Sequence, residues 1–277
     1  MVSAFATFAI IVSLAWLAAS ALTQMDTRGA QALRIQLGME RAGQVCGAYD
    51  QPLCTYDDAE QRRMDREDRF DRAARTVVLA EVDAEGRLDA RATADLAARH
   101  GVRLVSVMAA NNEIGVVSPL EDLGAALARL GDARPRFHVD AVQWLGRGPF
   151  TPRAWQADLV SLSAHKVGGP LGVGVLIARG ATPLAPILTG GGQEAGLRSG
   201  TENAPALAAA ALAIEMAVCE RAEYVERVGA MTRTLWNEVH AAFPGARLLG
   251  PPIDAPDRLP KTLNVSFPDV DGRALVA

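Results

Sequence analysis

Val102–Ala109 (VRLVSVMA) is a near-continuous apolar run that leads straight into a polar cluster, Asn111-Asn112-Glu113-Ile114-Gly115. A run of this kind marks a strand covered on both faces, as in a parallel sheet. The arrangement recurs along the chain. Phe137–Val139 ends on Asp140, Leu159–Leu162 runs into Ser163-Ala164-His165-Lys166, and Gly174–Ala178 follows a glycine-rich turn. Leu88–Arg99 reads as an amphipathic helix, and Pro119–Leu130 as a helix stopped by Gly131. Val77–Val82 reads as one further short strand. Strands alternating with helices predict an α/β domain over residues 76–205, with a mostly parallel sheet flanked by helices.

Beyond Pro205 an Ala-rich helical stretch runs through Leu207, Leu212, Ile214 and Met216, and breaks near Gly229 or continues to Phe243. Arg247–Leu249 and Thr262–Phe267 then read as strands separated by proline-rich turns. A helix start follows at Asp271–Leu275. Residues 206–277 are therefore expected to be a linking helix and part of a small α+β domain that is incomplete at Ala277. At the other end, Val2–Gln24 carries no charge and is long enough to span a bilayer, which takes roughly 20 apolar residues. It lacks the basic start of a signal peptide. The expectation for residues 1–25 is a helix apart from the α/β core, either a membrane anchor or a segment foreign to that core. Residues 26–75 show no lasting apolar periodicity. Their densest part, Asp57–Arg72 (DDAEQRRMDREDRFDR), reads as a solvated linker or helix.

Charge and cysteine content remove some functional classes. The net charge of −4 offers no basic excess for a nucleic acid. Cys46, Cys54 and Cys219 are too few for a disulfide framework and form no Cys-x-x-Cys pair, so free thiols are expected and no metal site is legible.

The polar clusters lie in a telling order. After Asn111–Gly115 come His138-Val139-Asp140-Ala141-Val142-Gln143, then Ser161-Leu162-Ser163-Ala164-His165-Lys166, then Gly190-Gly191-Gly192-Gln193-Glu194, and last Arg198-Ser199-Gly200-Thr201-Glu202-Asn203. Three of these directly follow apolar strands. In open α/β sheets ligands bind outside the carboxyl ends of strands. Pyridoxal 5'-phosphate needs a lysine to hold it covalently, an acid to keep its ring nitrogen protonated and donors for its phosphate. Asp140 closes one strand and Lys166 follows the next, which puts both at the same edge of the sheet. Each piece alone has a plainer reading: a helix-capping aspartate, a surface His-Lys pair, a glycine loop. Their combination and order give the cofactor reading its weight.

The order NNEIG, HVDAVQ, SLSAHK, GGGQE and RSGTEN resembles the cysteine desulfurases, fold-type-I pyridoxal-phosphate enzymes of the class V aminotransferase superfamily, over about Val77 to Ala277. GGGQE and RSGTEN resemble the iron–sulfur and nitrogen-fixation group. The resemblance implies that Lys166 binds the cofactor, Asp140 partners the ring nitrogen and Gln143 hydrogen-bonds the phenolic oxygen. It places Asn112 near that oxygen and the substrate. Ser163 and His165 are implied as phosphate contacts, and Thr201 would reach the phosphate in the partner subunit of a homodimer. Thr201 is also placed to cap the helix entered at Pro205. L-cysteine as substrate, a scaffold protein as sulfur acceptor and a cytoplasmic location follow from the same resemblance.

The family's glycine- and threonine-rich phosphate loop and its ring-stacking histidine have no match between Met1 and Arg75. His100, His138, His165 and His240 are the only histidines, and none stands in that context. The family's catalytic cysteine and carboxylate-binding arginine fall beyond Ala277, and Cys219, in AVCERAEY, does not match. Whether the chain is itself an enzyme is therefore left open between two readings. One is a cysteine desulfurase in part; the other is a non-catalytic relic that serves as a binding module. Another enzyme of the same superfamily, an aminotransferase or lyase, is disfavoured by GGGQE and RSGTEN.

Overall fold

The computed structural model describes the backbone of Phe8–Ile11 and residues 77–180, 182–268, 270 and 272. The chain divides into two compact units, Met1–Leu17 with Ala80–Ala277, and Ala18–Leu79. Of the second only 77–79 are described, so the expectation for the linker lies outside the described residues, as does most of the helix start at Asp271–Leu275.

The first unit is built on a five-stranded sheet. Its strands are β1 (Phe8–Ile11), β2 (Leu104–Met108), β3 (Arg136–Asp140), β4 (Leu159–Ser163) and β5 (Gly174–Arg179), in the order β1-β5-β4-β3-β2. Strands β2, β3 and β4 are parallel; β5 is antiparallel to β4, and β1 to β5. Four of the five strands thus point the same way, as expected from the apolar runs. The pairing of β1, with Phe8 opposite Arg179 and Ile11 opposite Leu176, corrects the helical expectation at these four residues. An open β5 edge offers a row of backbone donors and acceptors, and an extended apolar segment satisfies them as well as its own. The rest of Val2–Gln24 lies outside the described residues. Among the described residues no helix is long and apolar enough to cross a membrane.

Helix α1 (Ala90–Arg99) starts where the Asp89 side chain accepts the N–H groups of Arg91 and Ala92, both at 2.8 Å. Helix α2 (Leu120–Ala128) packs beside it. Their buried residues Ala94, Ala97, Leu123, Ala126 and Leu127 join Val105, Val107, Phe137, Val139, Val160 and Leu162 of the sheet in one core. Alternation along a strand sends those sheet residues to one face. The other face receives Ser106, His138, Asp140, Ser161 and Ser163. Asp158 anchors the start of β4: buried, it accepts from the Phe137 N–H and from Arg134 Nη1, each at 2.8 Å.

Val77–Val82 does not form the expected strand. Only Val82 makes a bridge, to Leu88 across the turn that Asp83 and Gly86 close, and Val77 is left 61% exposed. Among the described residues, apolar character there has no neighbouring strand to pair with. The long C-terminal helical stretch is two helices, α3 (Ala204–Cys219) and α4 (Arg221–Ala242), which meet at Glu220 rather than Gly229. Strands β6 (Arg247–Leu248) and β7 (Val265–Ser266) form a short antiparallel pair.

Candidate active site

The site-bearing face is read most directly from the sheet register. In it Ser106 lies beside His138, Met108 beside Asp140, and Asp140 beside Ser161. His138 is buried between two hydroxyls, with Ser106 Oγ 2.7 Å from Nδ1 and Ser161 Oγ 3.2 Å from Nε2. A polar line thus crosses β2, β3 and β4 on a diagonal, from Ser106 and His138, two residues before Asp140, to Ser161 beside Asp140. Burial pushes the His138 imidazole down to about 3.

That value has a consequence for stability. The unfolded chain takes up a proton on this histidine near the usual value of about 6.5, whereas the folded chain does so only near 3. Between those values the unfolded state binds more protons, so stability falls as pH drops through this window. From pH 7.5 to pH 5 the loss due to His138 is about 2 kcal/mol. Urea denaturation at the two pH values should show this, and His138→Gln should reduce the pH-dependent difference by about that amount.

Asp140 is buried at the carboxyl end of β3 and accepts the Val142 N–H at 3.0 Å, which shapes the turn into Gln143. Ser163 ends β4. Its Oγ lies 2.7 Å from His165 Nδ1 in the short 3-10 turn Ala164–Val167, which Gly168 closes at φ 84°. Partial burial and the adjacent Lys166 ammonium both lower the His165 imidazole. Lys166 is exposed on that turn. Asp140, Gln143, Ser163, His165 and Lys166 therefore all stand at the carboxyl ends of two hydrogen-bonded parallel strands.

Asn112 is exposed in the loop after β2. Its neighbour Asn111 holds that loop by accepting the N–H groups of Glu113 and Ile114, both at 2.9 Å. Thr201 is exposed ahead of α3, and the helix cap expected of it is made by Asn203, which accepts the Ala206 N–H at 3.2 Å. The asparagine stands one residue before the helix, where a side-chain acceptor reaches the free N–H groups.

The C-terminal segment adds two residues that had no signal in the sequence. Val116 bridges Arg258, the Val117 N–H donates to Asp257 O at 2.8 Å, and the Leu259 N–H donates to Gly115 O at 2.7 Å. A side chain at Gly115 would meet Thr262 Cβ at 2.9 Å, and one at Gly250 would collide with the Ile114 carbonyl, so both turns require glycine. Arg258 is buried and donates to the carbonyls of Leu249, Pro251 and Thr262. The segment delivers half-buried Lys261, whose Nζ donates to Gln143 Oε1 at 2.8 Å. Burial, then Arg147, then Lys166 lower the Lys261 ammonium. Arg147 itself lies over the Tyr224 ring, 3.8 Å from its centroid.

A sheet of this topology, with an acid, an amide and a lysine at the ends of adjacent parallel strands, defines a class that comparison with known proteins makes specific. Residues 68–277 match the Aminotransferase class-V family, and the chain belongs to it. Within that family it is 42% identical over 202 residues to a cysteine desulfurase of Cereibacter sphaeroides, covering 73% of this chain and 49% of that protein. It is 39% identical over 243 residues to the cysteine desulfurase IscS of Anaeromyxobacter sp. (strain Fw109-5), covering 87% of this chain and 58% of the relative. The chain thus spans about half the length of these curated relatives. A solved NifS-like protein from Rickettsia africae superposes with a TM-score of 0.67 at 29% identity, over 74% of this chain and 56% of the other.

Proposed function

We propose that this chain is the cofactor-holding portion of a cysteine desulfurase that binds pyridoxal 5'-phosphate through Lys166 and mobilises sulfur from L-cysteine for iron–sulfur cluster assembly. The observation that supports the reading is that Asp140, Gln143, Ser163, His165 and Lys166 end or directly follow β3 and β4, two hydrogen-bonded parallel strands. The donor set suits the cofactor. Asp140 offers a buried carboxylate to a ring N–H, Gln143 an amide to the ring oxygen, and Ser163 with His165 a hydroxyl and an imidazole to the phosphate. When bound, pyridoxal phosphate supplies an electron sink that weakens the bonds at an amino acid's α-carbon.

The chain's own residues supply the rest. The Asp140 carboxylate keeps a proton on the ring nitrogen, so the sink stays electron-poor. The exposed Lys166 amine would hold the cofactor and would carry a proton to or from the substrate's α-carbon. Asn112, at the same edge of the sheet, faces ring oxygen and substrate in this reading. Thr201 contributes to the phosphate site of a second copy in a homodimer, and a scaffold protein receives the sulfur.

Reductive trapping of the chain with added pyridoxal phosphate, followed by peptide mass mapping, tests the reading. The expected adduct lies on the peptide holding Lys166. An adduct spread over surface lysines, and unchanged in Lys166→Ala, would overturn it. An adduct on Lys166 without sulfur transfer under any reconstitution would instead support a binding module.

A further inference from the structure

We propose that Lys261 is a positioning residue for the cofactor ring, its ammonium fixing the Gln143 amide so that the amide NH2 faces the ring oxygen. The proposal rests on the cofactor reading above. A glutamine amide has two orientations that differ only in which end is donor and which acceptor. An ammonium has donors and no acceptor, so it can accommodate only the carbonyl end. With Oε1 bound to Lys261 at 2.8 Å, the NH2 is turned away from the lysine and is available as a donor. A ring phenolic oxygen, which is most basic when ionised, needs a donor of that kind.

The contact joins side chains 118 residues apart and is braced at both ends. On the lysine side, Arg258 ties together the carbonyls of Leu249, Pro251 and Thr262, and Leu259 donates to Gly115. On the glutamine side, the turn out of β3 is shaped by Asp140 accepting from Val142. Charge points the same way. Lys261 is held half-buried near two other cations, Arg147 and Lys166, with His165 beside Lys166 on the same turn and Asp140 at the end of β3. Collecting cations here is unfavourable until an anion joins them. The ring oxygenate and phosphate of the cofactor are anions of the right class.

The experiment titrates the 277-residue chain with pyridoxal phosphate and reads two quantities, the dissociation constant and the pH midpoint of the visible band. Lys261→Met is expected to weaken binding about tenfold, the loss of one charge-assisted hydrogen bond. It should also raise the pH midpoint by roughly half a unit or more, because a cation that opposed protonation has gone. Lys261→Arg should restore both. Lys261→Gln, uncharged and of similar length, is the second variant should methionine disturb folding, with circular dichroism as the control. In a Gln143→Leu background Lys261→Met should weaken binding little further, since the two act through one contact. An unchanged affinity and midpoint in Lys261→Met and Lys261→Gln, with the band still lost in Lys166→Ala, would overturn the role of Lys261 and leave the cofactor reading intact. A full additional loss in the Gln143→Leu background would also overturn it. No band from the unchanged chain at millimolar cofactor would sink both.

Discussion

Given L-cysteine, a thiol reductant and pyridoxal phosphate, the purified 277-residue chain is expected to release sulfide no faster than the free cofactor does. Sulfur leaving the substrate's β-carbon needs a thiolate to take it, and that thiolate must be carried over the cofactor by a mobile loop. Cys219 is the last residue of α3, a regular helix, and no loop carries it. Cys46 and Cys54 belong to the linker segment and lie outside the described residues. Proton handling is also thinly served. Buried His138 stays neutral down to about pH 3, His165 lies 2.7 Å from Ser163 Oγ and is taken up by the proposed phosphate contact, His100 caps α1 and His240 stacks on Trp236 at 5.0 Å. The absence of a positioned acid–base histidine costs about 10²–10⁴-fold. A sulfide assay decides the matter. A rate far above that of free cofactor, abolished by Lys166→Ala, would contradict the expectation, and single Cys→Ser changes would then identify the acceptor.

Replacing Arg258 by alanine is expected to destabilise the C-terminal segment by about 3 kcal/mol or more. The guanidinium serves three backbone carbonyls, that of Pro251 buried and those of Leu249 and Thr262 partly so, and a buried acceptor left without a donor costs about 1–3 kcal/mol. Part of that is offset by relief of the desolvated charge and of its one unsatisfied nitrogen, Nε. Neighbouring links fail with it: the bridge to Val116, the Leu259 bond to Gly115 and the pairing of Asp257 with Arg87, 2.5 Å from Oδ2 to Nε. Hydrogen exchange should show lost protection at the Val117 and Leu259 amides, with β2, β3 and β4 still protected. Protection unchanged along the segment would show that its apolar contacts suffice.

Much of this architecture was legible because the relevant signals are local. Strands β2, β3 and β4 bury Val105, Val107, Phe137, Val139, Val160 and Leu162 on one face, and burial of that kind writes itself into short apolar-rich runs. Asp140 and Lys166 stand out because each follows such a run. Val77–Val82 misled because apolar composition says nothing about whether a neighbouring strand is there to pair with. Gly229 misled because glycine is tolerated inside a helix; here it lies with Pro260 Cβ 3.7 Å from where its own side chain would begin, and the helices part at Glu220 instead. The Ser106–His138–Ser161 line was half visible, since two of its members stand in the quoted motifs, yet only the parallel register brings three strands' polar residues side by side. Lys261 carried no signal, because Pro-Lys-Thr in a turn gives no hint of a partner 118 residues earlier.

That separation bears on the order in which the chain acquires its parts during synthesis. The contacts that build β2, β3 and β4 with α1 and α2 are complete once Ser163 has emerged, whereas Gly115, Val116 and Gln143 wait for Arg258, Leu259 and Lys261, and the last of these contacts spans 118 residues. Closing so long a loop is entropically slow, and contacts of large sequence separation dominate folding times. A nascent chain would therefore hold a formed sheet whose proposed cofactor edge is unfinished. Cofactor affinity would appear as a late step, after the sheet is already protected.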